Sequence, residues 1–295
     1  MNKIRLSHSA LDLLNTCERK FQLDRFLTGG APRQDYPPTV FGKAFGAGIA
    51  DYLAHQNRDQ AIMTTWLAYT PKLEDARRTE LVCVNAVINA FTELDNLLLD
   101  YEPVLIEGKV CDELSFRLNI DEQFYYVGYI DFILKNRFTG RYVIIEVKTT
   151  GLSLHDLDPL YINSGQAVGY SIVLDKIAGA TQSEYDVIYI IGQIGSGNGF
   201  QPNIQVKTFP KTIGDRLNWF LSIGMDKDRI HQMLELDYFP KRGASCLKYN
   251  KPCPHLGTCG LTALDEMRKE EEDTIDYDFT YELNDIITDH IKRIS

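Results

Sequence analysis

The stretch Tyr126–Thr150 constrains this chain more than any other. Val127–Leu134 (VGYIDFIL) is dominated by apolar and aromatic residues, which suits a strand buried on both faces. Asn136–Gly140 (NRFTG) breaks the pattern. Tyr142–Lys148 (YVIIEVK) resumes it, β-branched and apolar until Glu146 and Lys148. Side chains two apart share a strand face, so Glu146 and Lys148 point the same way, with Val143, Ile145 and Val147 opposite. Two charges at the end of a core strand are costly unless they are paired or bind something. If the two strands pair, Asp131 lies beside Glu146. Clustered carboxylates are hard oxygen ligands for Mg²⁺ or Mn²⁺, and a neighbouring lysine can orient water or stabilise charge on a phosphate. An acid-x-Lys pair taken alone reads first as a cross-strand salt bridge, and only the rest of the chain turns it towards a site.

The 295 residues have room for one large domain or two small ones. The net charge of −10 argues against a protein that coats polyanions generally. It leaves open a small nucleic-acid site, because the N-terminus is locally basic (Lys3, Arg5, Arg19, Lys20, Arg25) and much of the acid sits in Asp265–Asp289. No apolar run approaches a membrane span, and the N-terminus lacks a signal-peptide pattern. A cytoplasmic protein with reduced cysteines is expected.

Ser7 or Ser9 is a suitable N-cap for a helix running to Leu27 and containing Cys17. Thr39–Gln56 reads as helix despite Gly42, Gly46 and Gly48, each costing about 1 kcal/mol in a helix interior. Ala61–Tyr69 and Leu73–Tyr101 read as further helices. From Pro103 the pattern becomes strands: Val104–Val110, Leu114–Ile120, Phe124–Leu134 and Arg141–Lys148. A helix over Asp158–Asp175 follows, then strands Asp186–Ile191 and Asn203–Phe209 around a glycine-rich turn Gly192–Pro202. Thr212–Leu236 reads as helix, followed by a cysteine-rich segment and an acidic helical tail.

Cys246, Cys253 and Cys259 are separated by six and five residues in a segment looped by Pro252, Pro254 and Gly257. Cys17 is the best fourth ligand, while Cys83 and Cys111 lie in apolar patterns and read as core. Four thiolates suit Zn²⁺ or a 4Fe–4S cluster. Structural zinc favours closer spacing, so the wide gaps lean towards iron–sulfur. His255 as a ligand in place of one cysteine would favour zinc. Three unrelated reduced cysteines is the remaining reading.

Taken together these residues resemble the PD-(D/E)XK nuclease superfamily, and within it the RecB-like iron–sulfur branch of the AddB nuclease domain, the CRISPR-adaptation exonuclease and phage recombination nucleases. The resemblance runs roughly from Leu6 to Cys259. SHSALDLLNTCERKF is similar to the family's Ser-x-Ser…Cys-x-x-x-Phe opening, with Cys17 as first cluster ligand. Gly128–Asp131 resembles its G-x-x-D metal motif and Glu146-Val147-Lys148-Thr149 its (D/E)-x-K-T motif. Gln166…Tyr170 resembles its Q-x-x-x-Y motif, and Cys246, Cys253 and Cys259 its C-terminal triplet. One position departs: Gly46 stands where the family places a metal-binding histidine, and His55 reads as a surface residue.

The resemblance implies an α/β, restriction-endonuclease-like core with a central mixed sheet flanked by helices. It implies one nuclease domain over residues 1–295: a helical N-terminal region to residue 102, a catalytic sheet core over 103–210, a helix and metal-cluster segment over 211–260, and an acidic helical tail over 261–295. Asp131, Glu146 and the Val147 carbonyl would hold Mg²⁺ or Mn²⁺, with Glu107 or Glu113 as an accessory acid. Lys148 would position water, helped by Gln166 and Tyr170. Arg19, Lys20 and Arg25 would contact DNA, single-stranded or at duplex ends, near a structural 4Fe–4S cluster. The implied activity is DNA hydrolysis, exonucleolytic in recombination, repair or phage DNA metabolism, with a helicase or recombination protein as partner. The setting would be the cytoplasm of a bacterial, archaeal or phage-infected cell. Two other readings stand beside it: a nuclease fold weakened at Gly46 that binds DNA or a partner, and a zinc-stabilised α/β protein with no catalytic site.

Overall fold

The computed structural model describes residues 3–26, 36–72, 75, 77–106, 108–152, 157–179, 181–195, 201–248, 251–257, 259–260 and 277–286. The chain divides into two compact units, each assembled from segments distant in sequence. Unit 1 comprises Met1–Gln34, Phe116–Gly128 and Leu217–Ser295; unit 2 comprises Asp35–Ser115 and Tyr129–Arg216. The elements in chain order are β1 (Ile4–Leu6), α1 (His8–Thr16), α2 (Glu18–Phe26), α3 (Pro37–His55), α4 (Arg58–Ala68), α5 (Glu80–Asp100), β2 (Tyr101–Pro103), β3 (Leu105–Ile106), β4 (Lys109–Val110), β5 (Asp112–Asn119), β6 (Phe124–Asn136), β7 (Tyr142–Thr150), α6 (Asp158–Ile162), α7 (Gly165–Ala178), β8 (Glu184–Ile194), β9 (Pro202–Thr212), α8 (Ile213–Glu235), β10 (Leu247–Lys248), β11 (Lys251–Pro252) and β12 (Phe279–Glu282).

Unit 2 is built on a mixed sheet. β6 and β7 pair antiparallel from Phe132–Ile145 to Lys135–Tyr142, β7 and β8 run parallel, and β8 and β9 are antiparallel. One face carries Phe132, Leu134, Val143, Ile145, Ile188 and Ile190, packed with Phe41, Phe45, Ile49, Phe91 and Leu94 from α3 and α5. The other carries Tyr189, whose ring meets Tyr161 of α6 and Phe209 of β9. Helices cover both faces, as expected for the mixed-sheet core. α5 is long and apolar enough to cross a membrane by length and composition, and its Cys83, Val87, Phe91 and Leu94 are buried in this core.

Unit 1 contains the N-terminal helices, the cysteine segment and β12, which pairs in parallel with Phe116–Asn119 of β5. Tyr126 and Trp219 meet edge to face within it.

Several boundaries differ from the sequence reading. Ser7 caps α1 as expected, accepting from the Ala10 N–H. The helix does not continue to Leu27, because Cys17 is extended (φ −163°, ψ 113°) and separates α1 from α2. Ser164 caps α7, accepting from the Ala167 N–H, and so divides the Asp158–Asp175 helix in two. Gly192–Ile194 belong to β8 rather than to a turn, and residues 196–200 of that turn lie outside the described residues. The Val104–Val110 strand is instead a small β3–β4 hairpin with Gly108 at φ +81°, a left-handed conformation glycine adopts at little cost. Most of the acidic tail lies outside the described residues, and its described portion includes a strand, β12, not only helix. Cys83 and Cys111 are buried and His55 is exposed, as expected.

Candidate active site

The expected site residues of unit 2 come together on the sheet face covered by α7. Beyond Phe132–Ile145 a side chain takes over from the β6–β7 ladder. The Val147 N–H donates to Asp131 Oδ2 at 2.8 Å. Asp131 therefore satisfies a backbone donor of the neighbouring strand and is fixed beside Glu146. On the far side, β7 stays paired to β8 through Val147–Ile190 and Lys148–Ile191, so Glu146 and Lys148 project from rigid backbone. Lys148 Nζ bonds Glu146 Oε1 and donates to Gln166 Oε1 at 3.1 Å. Gln166 Nε2 in turn donates to the Tyr170 hydroxyl at 2.8 Å. Gln166 and Tyr170, one helical turn apart on α7, share a face.

The electrostatics of this group are unresolved by its own protein partners. Glu146 is 1% exposed, and its Oε2 is buried with no hydrogen-bond partner among the described residues. Burial pushes its carboxyl up to about 7, with Asp131 adding to the rise and Lys148 opposing it. Asp131 is also raised, again by burial, against the pull of the Val147 N–H and Lys148. Glu113 adds negative potential at Asp131. That places Glu113, an exposed residue of β5 held at φ +48°, within electrostatic reach of the site. A non-glycine residue in this region stores about 1 kcal/mol or more of strain. Glu107 lies outside the described residues. At Gly46, a Cβ would meet nothing within 4 Å.

Two residues that motif reading passed over stand near the same strands. The Arg78 guanidinium, paired with Asp75 at 3.1 Å, reaches the position beside Gly151, just beyond β7. Tyr129 is 42% exposed, although the strand around it is buried. The period-two alternation that placed Glu146 beside Lys148 also puts Tyr129 on the face of Asp131, so that signal was available.

In unit 1, Cys17, Cys246, Cys253 and Cys259 line one cavity of about 270 Å³, together with Lys20, Lys241, Arg242 and His255. The six-residue gap closes because β10 and β11 form a hairpin, with the Cys253 N–H donating to the Cys246 carbonyl at 2.8 Å. The Cys259 N–H donates to the His255 carbonyl at 2.7 Å. His255 Nε2 is engaged by Asp24 at 2.6 Å. Glu18, next to Cys17, is buried and held by both Arg229 and Arg242, the latter through two bonds of 2.8 and 2.6 Å. Arg242 first, and Arg229 with it, holds the Glu18 carboxyl down to about 2 against the effect of burial. Of the expected DNA contacts, Arg19 is 8% exposed and donates to Gln22 at 2.5 Å, while Lys20 and Arg25 are half-buried. Among the described residues, no three His, Cys, Asp or Glu side chains converge closely enough to hold one metal ion.

A family model described as the PD-(D/E)XK nuclease superfamily matches residues 5–260. A search of curated proteins returns no match. Among solved structures, a provisionally named exonuclease from Eubacterium rectale aligns over 92% of this chain and 91% of its own, at 12% identity and a TM-score of 0.48. The structure of SSO0001 aligns over 77% of this chain and 88% of its own, at 14% identity and a TM-score of 0.30. At these scores neither neighbour bears on the assignment, which rests on the family match.

Proposed function

The chain belongs to the PD-(D/E)XK nuclease superfamily, and from that premise we propose that it is a metal-dependent deoxyribonuclease of the RecB-like iron–sulfur branch. Glu146 carries this reading. A glutamate 1% exposed, with one oxygen unpartnered, is a destabilising arrangement for a merely structural salt bridge. It suits a carboxylate kept for a cation. The donor chemistry fits: Asp131, Glu146 and the Val147 carbonyl offer hard oxygens for Mg²⁺ or Mn²⁺, and Glu113 is the accessory acid the electrostatics support. Held by those oxygens, a divalent ion would supply positive charge beside the phosphate and make a neighbouring water more acidic.

The residues of the chain do the rest. Lys148 Nζ, anchored by Glu146 and Gln166, orients the attacking water towards phosphorus. Gln166, fixed by Tyr170, limits the positions Lys148 can adopt. The water oxygen bonds to phosphorus and gives up a proton to the surrounding water, the bond from phosphorus to one sugar oxygen breaks, and the departing oxygen takes up a proton in turn. Exonucleolytic action in recombination, repair or phage DNA metabolism, in the cytoplasm and beside a helicase or recombination partner, is the setting this reading gives it.

The cysteine cavity supports a 4Fe–4S cluster over zinc. A single zinc ion draws its sulfurs to about 2.3 Å from one point, whereas here four cysteines line a cavity of about 270 Å³, room for a centre of several atoms. Three cationic side chains around it, Lys20, Lys241 and Arg242, suit a net negative thiolate cluster. Its role in this reading is structural.

A second reading, a nuclease fold that binds DNA or a partner without cutting, draws on Gly46, which offers no side chain to the metal. The deciding experiment is cleavage of end-labelled single- and double-stranded DNA with Mg²⁺ and Mn²⁺, using anaerobically purified protein and Lys148→Ala. Cleavage by wild type, lost in the variant, establishes the nuclease. DNA binding without cleavage under either metal gives the second reading its place.

A further inference from the structure

β6 is thirteen residues long, and its burial is continuous from Phe124 to Leu134 except at Asp131, which is half-buried, and Tyr129, which is exposed. An aromatic ring left 42% exposed in a core strand needs a reason. Its place supplies one. Tyr129 precedes Asp131 by two residues, so both side chains leave the same face, about 7 Å apart along the strand. That face carries Glu146 and Lys148, and Gln166 reaches Lys148 from α7 above it. It is also where the β6–β7 ladder gives way to the bond between Asp131 and the Val147 N–H. A phosphodiester placed for attack between Asp131 and Lys148 would bring the base of an adjoining nucleotide to the level of Tyr129. Stacking on a tyrosine requires a base face that is free, which a paired and stacked duplex interior does not offer.

We propose that Tyr129 is a stacking platform that holds an unpaired base next to the scissile phosphate, so that the substrate is single-stranded DNA or a frayed, single-stranded end. This rests on the nuclease reading and deepens it. The contact is with the base face, so it is tolerant of sequence and indifferent to the tyrosine hydroxyl. Stacking of one base on an aromatic side chain is large enough to be read as a change of roughly tenfold in affinity.

The test is equilibrium binding by fluorescence anisotropy in the full-length Lys148→Ala protein, which holds DNA without cutting it. The probes are a single-stranded oligonucleotide, the same sequence carrying abasic sites throughout, and a blunt duplex. Added Tyr129→Ala should weaken single-strand binding roughly tenfold, Tyr129→Phe should leave it unchanged, and the abasic strand should bind the parent and Tyr129→Ala alike. Equal losses on the normal and abasic strands, or equal losses for Ala and Phe, overturn the stacking role. So does a duplex that binds as well as the single strand and loses as much on Tyr129→Ala. Thermal melting of each variant separates these results from misfolding. Failure of the parent protein to bind any of the three probes, together with wild type that cuts nothing, would sink the nuclease reading itself. Wild-type cleavage with Tyr129→Ala indistinguishable from its parent sinks only this inference.

Discussion

Two glutamates in this molecule are equally hidden from solvent and opposite in character. Glu18 in unit 1 and Glu146 in unit 2 are both 1% exposed. Glu18 has two arginines, one of them bidentate, and its carboxyl is held down to about 2. Glu146 has one lysine, a neighbouring acid and an oxygen with no partner among the described residues, and burial pushes its carboxyl up to about 7. Solvent exposure is the same in both; the weight of desolvation and the number of answering charges are not. A charge that serves the fold is satisfied by the fold, whereas one left wanting is available to a ligand.

The largest expected break in that comparison is catalytic. Glu146→Gln and Lys148→Ala should each lower DNA cleavage by at least about 10³-fold, while Glu18→Gln leaves kcat near wild type when measured on folded protein. Stability should run the other way. In EDTA at pH 8, Glu146→Gln should stabilise the protein by about 1–3 kcal/mol, because the raised carboxyl is a charge the fold does not favour. Glu18→Gln should destabilise it by about 2 kcal/mol, leaving charged donors underused. Denaturant midpoints measure both, and a loss of stability in Glu146→Gln would remove the contrast.

The pH dependence sharpens it further. Glu146, raised in the folded state, contributes stability that is fully present below about 4.5 and is lost as pH rises through about 7. Glu18, depressed in the folded state, contributes stability that is present above about 4.5 and is lost as pH falls through about 2. Melting temperatures in EDTA, compared between wild type and each Gln variant across pH 2–9, resolve the two windows. Saturating Mn²⁺ should abolish the first and leave the second. For the cysteine cavity, Cys253→Ser should remove visible absorbance from anaerobically purified protein. It should leave the Glu18–Arg242 pairing in place, so the variant should melt earlier but still cooperatively. The smallest effect belongs to Gln166→Ala, roughly tenfold in kcat, with Tyr170→Phe smaller still, since each acts through Lys148.

Much of the site was legible in sequence because strand and helix periods are short. Period two put Glu146 and Lys148 on one face, and the i, i+4 spacing put Gln166 and Tyr170 on another. The elements they occupy followed from β-branched content and from a turn at Asn136–Gly140. What was not legible depends on contacts across the chain. Nothing in LNTCERKF forbids a continuous helix. Cys17 is extended there while the Ser245 hydroxyl bonds the Thr16 carbonyl and the Arg19 N–H bonds the Pro240 carbonyl, and propensity yields to such tertiary partners. Gly192 looked like a turn residue. It lies inside β8, paired with Thr149 and Ile204, and its missing Cβ leaves room for the Phe45 ring, which would stand 3.2 Å from that atom. The parallel partnership of β12 with β5 joins segments far apart in sequence, beyond any local signal. The split at Ser164 was available, since Asn163-Ser164 is a capping signal.

The bond from the Val147 N–H to Asp131 Oδ2 has a consequence for how such a chain can vary. It ties the alignment of two strands to the placing of Asp131 beside Glu146. One residue inserted between Tyr142 and Glu146 would turn Glu146 and Lys148 into the hydrophobic face. The same residue inserted in Asn136–Gly140 changes only a surface turn. A change of length is therefore expected to be tolerated between β6 and β7 and not within β7.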